Sequence, residues 1–187
     1  MRLQPIVTTT LTTSAAAAAS VLLFAGPALA QNIAGTSGDD QLRGTAVRDT
    51  IRGHQGDDVL LGRGGPDQLF GQFGDDVLDG GSARDLLDGG PGADRLVGGP
   101  QGDFFHGGPG NDVVRAGTGN DQLETIQGAD HVFMGAGNDE LSFLDDDNAR
   151  AVIDCGPGHD VVNYLGAIDK TDVIRANCED VNANTSD

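Results

Sequence analysis

The sequence predicts an all-β fold, a solenoid in which short strands and Gly/Asp turns stack coil upon coil. Three observations predict it. Asp returns at every ninth position through more than half of the chain, a large apolar residue follows each Asp by two positions, and Gly precedes most of them by five. A chain with 30 Gly and only 4% aromatic residues would otherwise suggest disorder. A fixed interval is instead the signature of a repeat architecture.

The repeated Asp residues are the first candidate functional set. From Asp40 onward, all twelve positions that lie nine residues apart hold Asp: Asp40, Asp49, Asp58, Asp67, Asp76, Asp85, Asp94, Asp103, Asp112, Asp121, Asp130 and Asp139. The residues two positions later are all apolar: Leu42, Ile51, Leu60, Leu69, Leu78, Leu87, Leu96, Phe105, Val114, Leu123, Val132 and Leu141. Gly stands five positions before the Asp from Gly35 to Gly107, and Ala116, Thr125 and Met134 replace it in the last three units. The repeats therefore end at Ser142, within a predicted domain of residues 31–142.

Each unit has a simple physical interpretation. Six Gly-rich residues form a tight turn, because Gly accepts a positive φ without a Cβ clash. Three residues with an apolar centre form a short strand whose middle side chain faces one way. One unit cannot bury that side chain, but stacked units can. Because each turn reverses the chain, we expect a coil of two units and a thin core between two sheets about 10 Å apart.

The unit resembles a known nonapeptide. Its pattern GGxGxDxUx, with U a large apolar residue, is clearest in GGPGADRLV at 89–97 and GGPGNDVVR at 107–115. The chain is similar to the repeats-in-toxin (RTX, hemolysin-type) calcium-binding family. That resemblance implies a parallel β-roll, a right-handed solenoid, with Ca²⁺ held between stacked turns by Asp carboxylates and turn carbonyls. Carried over by position, the twelve Asp residues are the side-chain ligands.

The Asp spacing also favours a cation on physical grounds. Strands stack about 4.8 Å apart, so carboxylates one coil apart repel each other. Ca²⁺ accepts six to eight oxygens in flexible geometry and offsets that repulsion, whereas Mg²⁺ demands a tighter octahedron. The alternative interpretation is that each Asp only caps its own turn through backbone hydrogen bonds.

We expect the two edges of the roll to differ. The first edge contains the turns that end at Asp40, Asp58, Asp76, Asp94, Asp112 and Asp130, each with Gly two residues earlier. The second edge contains the turns that end at Asp49, Asp67, Asp85, Asp103, Asp121 and Asp139, where Val47, Ala83 and Gln101 interrupt that Gly. A side chain at this position is expected to be strained. We predict weaker Ca²⁺ binding on the second edge near Asp49 and Asp85, where Arg48 and Arg84 partly stand in for a cation.

The two ends of the chain are predicted to have other roles. Residues 1–30 combine Arg2, an apolar run and a closing Ala28-Leu29-Ala30, as in a cleaved secretory signal. The repeat stops after Leu141, residues 143–150 are predicted to be a loop, and the pattern returns once out of phase at Asp160, a possible extra ligand. We expect 143–187 to cap the stack. A Cys155–Cys178 disulfide, which an exported protein can form, would stabilise it by roughly 3 kcal/mol.

Composition limits the possible functions. A formal charge of -18 disfavours nucleic acid as a partner and favours cations. The four His residues have no metal-ligand spacing, and no catalytic constellation is evident. RTX repeats often follow an enzymatic domain, but only the predicted signal precedes them here, so we expect no enzymatic activity and no membrane span. The leading hypothesis is a secreted calcium-binding protein that folds with Ca²⁺. The alternative is a calcium-scaffolded adhesion module that uses outward apolar side chains.

Overall fold

The computed structural model describes residues 29–143, 149–164 and 172–183. The predicted secretory signal therefore lies almost wholly outside the described residues, as does most of the predicted loop at 143–150. The described residues form strands, turns and bends with no helix, so none of them forms an apolar helix long enough to span a membrane.

The strands form two parallel sheets, and successive strands alternate between them. The nine-stranded sheet contains, in spatial order, β1 (Asn32–Ala34), β3 (Thr50–Gln55), β5 (Gln68–Phe73), β7 (Leu86–Asp88), β9 (Phe104–Pro109), β11 (Gln122–Gln127), β13 (Glu140–Phe143), β15 (Val161–Tyr164) and β17 (Asp180–Ala183). The eight-stranded sheet contains β2 (Gln41–Arg43), β4 (Val59–Gly64), β6 (Val77–Ser82), β8 (Arg95–Pro100), β10 (Val113–Thr118), β12 (His131–Ala136), β14 (Val152–Asp154) and β16 (Val173–Ile174). The predicted all-β parallel solenoid is confirmed, with about eight coils.

The register follows the predicted two-unit coil. Leu60 pairs with Leu78 and Leu78 pairs with Leu96, so each strand lies beside the one two units further along. The middle side chains point into the space between the sheets, where Leu60, Leu78 and Leu96 are fully buried. A column of buried apolar side chains from each sheet makes a narrow core that runs the length of the stack.

The strands are longer than the sequence predicts. Three-residue strands were expected, but β3 to β6 and β8 to β12 each have six residues. In these strands the sheet hydrogen bonds continue through the first residues of the turn, as between Gly117 of β10 and Gly135 of β12. Gly residues paired in this way thus belong to the sheet as well as to the turn. Their lack of a side chain lets the backbones of adjacent coils stack closely.

The stack continues beyond the last regular repeat. Asp139 and Asp160, one coil apart, are separated by 21 residues rather than 18, so three extra residues enter this coil. β14 to β17 then pair on the same two sheets, which means that the described part of the expected cap contributes coils of its own. The predicted Cys155–Cys178 disulfide is confirmed, with a Cα–Cα distance of 5.3 Å. It joins the turns before β15 and β17, which are neighbours in their sheet.

Candidate metal centre

The fold brings all twelve predicted Asp residues into two columns at the edges of the roll. Each Asp ends a turn just before a strand, so its side chain enters the core layer beside the first apolar residue of that strand. All twelve are buried, with Asp40 the most exposed at 5%. Thirteen Asp side chains in all are buried, because Asp160 is fully buried as well. Carboxylates are seldom buried without a partner, so their contacts decide what the columns do.

One oxygen of each carboxylate is used within the column. The backbone N–H of Asp58 donates to Oδ1 of Asp76 at 2.8 Å, and the N–H of Asp76 donates to Oδ1 of Asp94 at 2.8 Å. The same contact recurs on both edges at 2.7 to 2.9 Å. We call each such pair of Asp residues in adjacent coils a rung. Capping through Oδ1 thus runs between coils, not within the Asp's own turn.

The other oxygen is left over along most of both columns. In the part of the chain that the structure describes, ten of these buried Asp Oδ2 atoms have no hydrogen-bond partner: those of Asp58, Asp67, Asp76, Asp85, Asp94, Asp103, Asp112, Asp121, Asp139 and Asp160. A buried carboxylate oxygen without a donor is costly, because it has lost water and gained no partner. A row of such oxygens is stable only if a cation binds beside it or if the carboxylates are protonated.

The space beside these oxygens is lined by more oxygen. A Cβ on Gly62, five residues before Asp67, would lie 2.6 Å from Asp67 Oδ2 and 2.5 Å from the carbonyl oxygen of Gly80 in the next coil. A Cβ on Gly44 would lie 2.7 Å from both corresponding oxygens, those of Asp49 and Gly62. We call this space the oxygen cradle. Only Gly leaves it open, and it presents the hard oxygen donors that Ca²⁺ prefers.

Side chains alone do not complete a metal site. Among the described residues, no group of three or more His, Cys, Asp or Glu side chains is arranged to hold an ion. A cation in the roll must therefore take backbone carbonyl oxygens in addition to the Asp carboxylates. The oxygen cradle supplies that combination.

The repeat is recognised by comparison with known families. The model of the RTX calcium-binding nonapeptide repeat matches four segments, residues 34–69, 70–105, 88–123 and 106–141, which together span more than half of the chain. The chain belongs to the RTX calcium-binding repeat family. Among curated proteins, none matches it significantly. The matched segments coincide with the coils from β2 to β13, so the RTX repeat and the regular part of the roll are the same region.

Burial changes the acidity of the RTX Asp residues. It raises the pKa of Asp58 from 3.8 to about 7, and the neighbouring carboxylates of Asp76 and Asp40 add to the rise. The hydrogen bond that Oδ1 accepts from a backbone N–H opposes this rise in pKa in each case but does not cancel it. The pKa is raised to about 7 for Asp58, Asp67, Asp94 and Asp103 and to about 6 for Asp76, Asp85, Asp112 and Asp121. Ionising the column is therefore unfavourable unless a positive charge enters it.

At the position two residues before the Asp, the two edges of the RTX roll differ in backbone strain, as the sequence predicts. Ala83 and Gln101 of the second edge have φ of 103° and 83°, a region that L-residues with a side chain rarely adopt. Gly56 and Gly74 take the same kind of conformation on the first edge without strain. Val47, the third residue expected to be strained at this position, does not have a positive φ. Elsewhere in the turns, non-Gly residues with positive φ occur on both edges, as His54 and Arg63 show.

The proposed role of the Arg residues has limited structural support. Ion pairs between described residues are confined to Arg175–Asp154 at 3.3 Å and His159–Asp180 at 3.7 Å, so Arg48 makes none. Arg84 makes none either, and its charge only partly opposes the rise that burial causes in the pKa of Asp103 in the next coil.

The columns extend beyond the twelve repeat Asp residues, and the sequence predicts only one of the additions. That residue is Asp160, whose Oδ1 accepts from the N–H of Asp139 at 2.9 Å. Beyond it, Glu179 accepts from the N–H of Asp160, and Asp172 accepts from the N–H of Ala151, which stands where a repeat Asp would be. The nine-residue count could not find these residues, because extra residues shift the phase.

A second missed feature is the loss of the oxygen cradle at the far end of the second edge. Ala116, Met134 and Cys155 take the place of the cradle Gly, and all three are fully buried. Carbon therefore occupies the position that Gly leaves open elsewhere. The exceptions at Ala116 and Met134 were visible in the sequence, but their contact with the ligand space was not.

Proposed function

We propose that this protein is a secreted calcium-binding protein whose Asp columns hold several Ca²⁺ ions between stacked coils, and whose folding is coupled to their binding. The single observation that carries the proposal is the row of buried Oδ2 atoms without partners. The oxygen cradle adds a carbonyl oxygen of the next coil beside five of them, those of Asp58, Asp67, Asp76, Asp94 and Asp103. Membership of the RTX calcium-binding repeat family supports the choice of ion. The proposed side-chain ligands are the Asp residues of the two columns, from Asp40 to Asp139.

The residues of the roll explain how ion binding and folding are linked. A Ca²⁺ ion supplies the positive charge that offsets repulsion between carboxylates of successive coils. Oδ1 holds the backbone N–H of the preceding coil, Oδ2 faces the cradle, and the cradle Gly keeps the space open. Because both coils of a rung contribute oxygens, the complete site exists only when the coils are stacked. The free energy of Ca²⁺ binding then adds to the free energy of folding.

Secretion is part of the same proposal. RTX repeat proteins are typically secreted, and residues 1–30 have the composition of a signal peptide. A chain with a formal charge of -18 resists collapse by self-repulsion where Ca²⁺ is scarce. Outside the cell, where Ca²⁺ is abundant, it would condense into the roll. The RTX repeat is a structural calcium-binding module, and we propose no catalytic role.

Calorimetry tests the proposal. Titration of the purified protein with Ca²⁺ should release or absorb heat with more than one ion bound per chain. Titration with Mg²⁺ should give weaker binding, since Mg²⁺ surrenders its water reluctantly. The absence of any Ca²⁺ heat at millimolar concentration would refute the proposal.

The adhesion alternative receives less support from the surface of the roll. The outward apolar side chains are half-buried and do not form a continuous apolar row. Val59 is in register with Val77, but Leu61 lies between Arg43 and Asp79. Two aromatic rings are covered by cations, Phe70 by Arg52 at 5.1 Å and Phe133 by Arg115 at 5.3 Å. The complete outward set is Val59, Leu61, Val77, Val97, Val113, Phe133, Phe70, Leu86 and Phe104.

A paired substitution separates the two functions. Replacing Leu61 and Val77 by Thr should leave self-association and surface binding unchanged if the roll is only a calcium scaffold. A loss of either property, with Ca²⁺ binding intact, would favour the adhesion module.

A further inference from the structure

The first two turns of the roll satisfy their own Asp. Asp40 Oδ2 accepts from the backbone N–H of Thr36 at 2.5 Å and from its hydroxyl at 2.9 Å. Asp49 Oδ2 accepts from the N–H of Thr45 at 2.5 Å and from its hydroxyl at 3.0 Å. Neither Oδ2 is among the orphaned oxygens of the columns. These two turns therefore supply hydrogen-bond donors to the Oδ2 of their own Asp.

The cause is a β-branched residue at the second position of the turn. In the inner turns, those that precede Asp58 to Asp121, this position has positive φ even where it is not Gly, as in His54, Arg63 and Gln72. Thr36 and Thr45 do not appear among the described residues with positive φ. A β-branched side chain makes that region especially unfavourable. The turn consequently takes another conformation, in which the N–H is directed at the turn's own Asp.

The inner turns use the same N–H differently. The N–H of Gln72 donates to the carbonyl of Gly89 in the next coil at 2.9 Å, and the N–H of Gly90 donates to that of Gly107 at 3.2 Å. The Oδ2 atoms of these turns, in Asp76 and Asp94, are left without a donor. The turns thus differ by position along the roll and not by edge: those before Asp40 and Asp49 satisfy Oδ2 within the turn, and those before Asp58 to Asp121 do not.

We infer that Thr36 and Thr45 close the first rung of each edge to Ca²⁺, so that ion binding begins one coil further along, at Asp58 and Asp67. Two donors directed at one Oδ2 occupy its lone pairs and place positive hydrogens where the ion would lie. The carboxylate is then stabilised by hydrogen bonds instead of metal. The inference rests on the proposed calcium-binding function and narrows its ligand set.

Asp-to-Asn variants at equivalent places test this inference. Asp76→Asn and Asp85→Asn, one on each edge, should each lower the number of Ca²⁺ ions bound per chain, measured by equilibrium dialysis and metal analysis. Asp40→Asn and Asp49→Asn should leave that number unchanged. Equal losses in all four variants would overturn the inference while the proposed function stood. A parent protein that takes up no Ca²⁺ would refute the proposed function itself.

A second pair of variants tests the inference by a gain of Ca²⁺, which local unfolding of the first coil cannot produce. Thr36→Gly combined with Thr45→Gly removes both hydroxyls and permits positive φ, so this variant should bind more Ca²⁺ than the parent. Thr36→Val with Thr45→Val keeps the β-branch, and with it the turn conformation that directs the N–H at each Asp, so this variant should bind no more Ca²⁺ than the parent does. An unchanged ion count in the Gly variant would overturn the inference.

Discussion

At the scale of single residues, the Gly five positions before the Asp, where it is present, is required by its contacts and not by its φ. Gly62 has no positive φ, yet a Cβ there would meet the Asp67 carboxylate and the Gly80 carbonyl. Gly38, two positions before Asp40, has nothing within 4 Å of the same hypothetical atom. The contacts of the missing side chain thus require Gly at position 62 and do not require it at position 38, and only the structure distinguishes the two.

The difference predicts the outcome of two Ala substitutions. Gly62→Ala should lower the free energy of unfolding by about 1 to 3 kcal/mol, as overpacking of a buried site does, and should weaken Ca²⁺ binding because the cradle is filled. Gly38→Ala, the matched control, should change stability little. Calcium-dependent thermal melts of both variants measure the difference, and equal melting temperatures would show that the cradle has room for a methyl group.

Strained turn residues lead to a prediction of opposite sign. Gln101 has φ of 83° in a turn of the second edge, where a side chain is disfavoured by roughly 1 to 2 kcal/mol. Gln101→Gly removes that strain, but the greater freedom of Gly in the unfolded chain offsets part of the gain. We expect a net rise of a few tenths to about 1 kcal/mol in chemical denaturation. A lower midpoint for the Gly variant would contradict the strain argument.

At the scale of elements, each coil is stabilised mainly by its two neighbours, so the ends of the stack are its weakest parts. β16 and β17 are the last strands of their sheets, and Val173 and Val181 on them are 36% and 38% exposed. The Cys155–Cys178 bridge lies in this region. The bridge links the exposed last coil to the buried coil before it. A covalent link restrains the most motion at such an exposed end.

Removal of the bridge should act locally. Cys155→Ser with Cys178→Ser should destabilise the last coils by about 3 kcal/mol on the chain-entropy model, given the separation of 23 residues. Hydrogen exchange should then show faster exchange in β15 and β17, with β4 to β8 unchanged. Uniform loss of protection along the whole roll would mean that the stack unfolds as one unit.

Much at this scale could be predicted from the sequence. The interval of nine residues gave the alternation of two sheets, the inward apolar column and the neighbours of each Asp, because a solenoid repeats one local rule. The coils after Leu141 could not be counted, since the extra residues move Asp160 out of phase. The closed turns at Thr36 and Thr45 were also missed. A β-branched residue in a turn position that elsewhere has positive φ was the available signal.

At the scale of the whole molecule, the columns make stability depend on both protons and Ca²⁺. Burial raises the pKa of Asp58 and Asp94 to about 7, well above the 3.8 of an exposed Asp. A group whose pKa is raised by folding holds its proton in the roll at a pH where the unfolded chain has lost it. Stability in chelator should therefore be greatest below that lower value and should fall as pH rises through about 7.

The pH dependence has opposite signs with and without metal. In chelator, the roll should be more stable near pH 4 than near about pH 8, by chemical denaturation. Ca²⁺ must displace those protons, so its affinity should rise across the same interval. Calcium affinity that is constant between about pH 5 and pH 8 would show that the buried carboxyls do not carry the binding.

The most direct test of the central claim is far-UV circular dichroism of the purified protein at neutral pH, titrated first with Ca²⁺ and then with excess chelator. If buried carboxylates bridged by Ca²⁺ hold the coils together, a β signal should appear cooperatively as Ca²⁺ is added and should disappear with chelator. A full β spectrum in chelator before any Ca²⁺ is added would contradict the account.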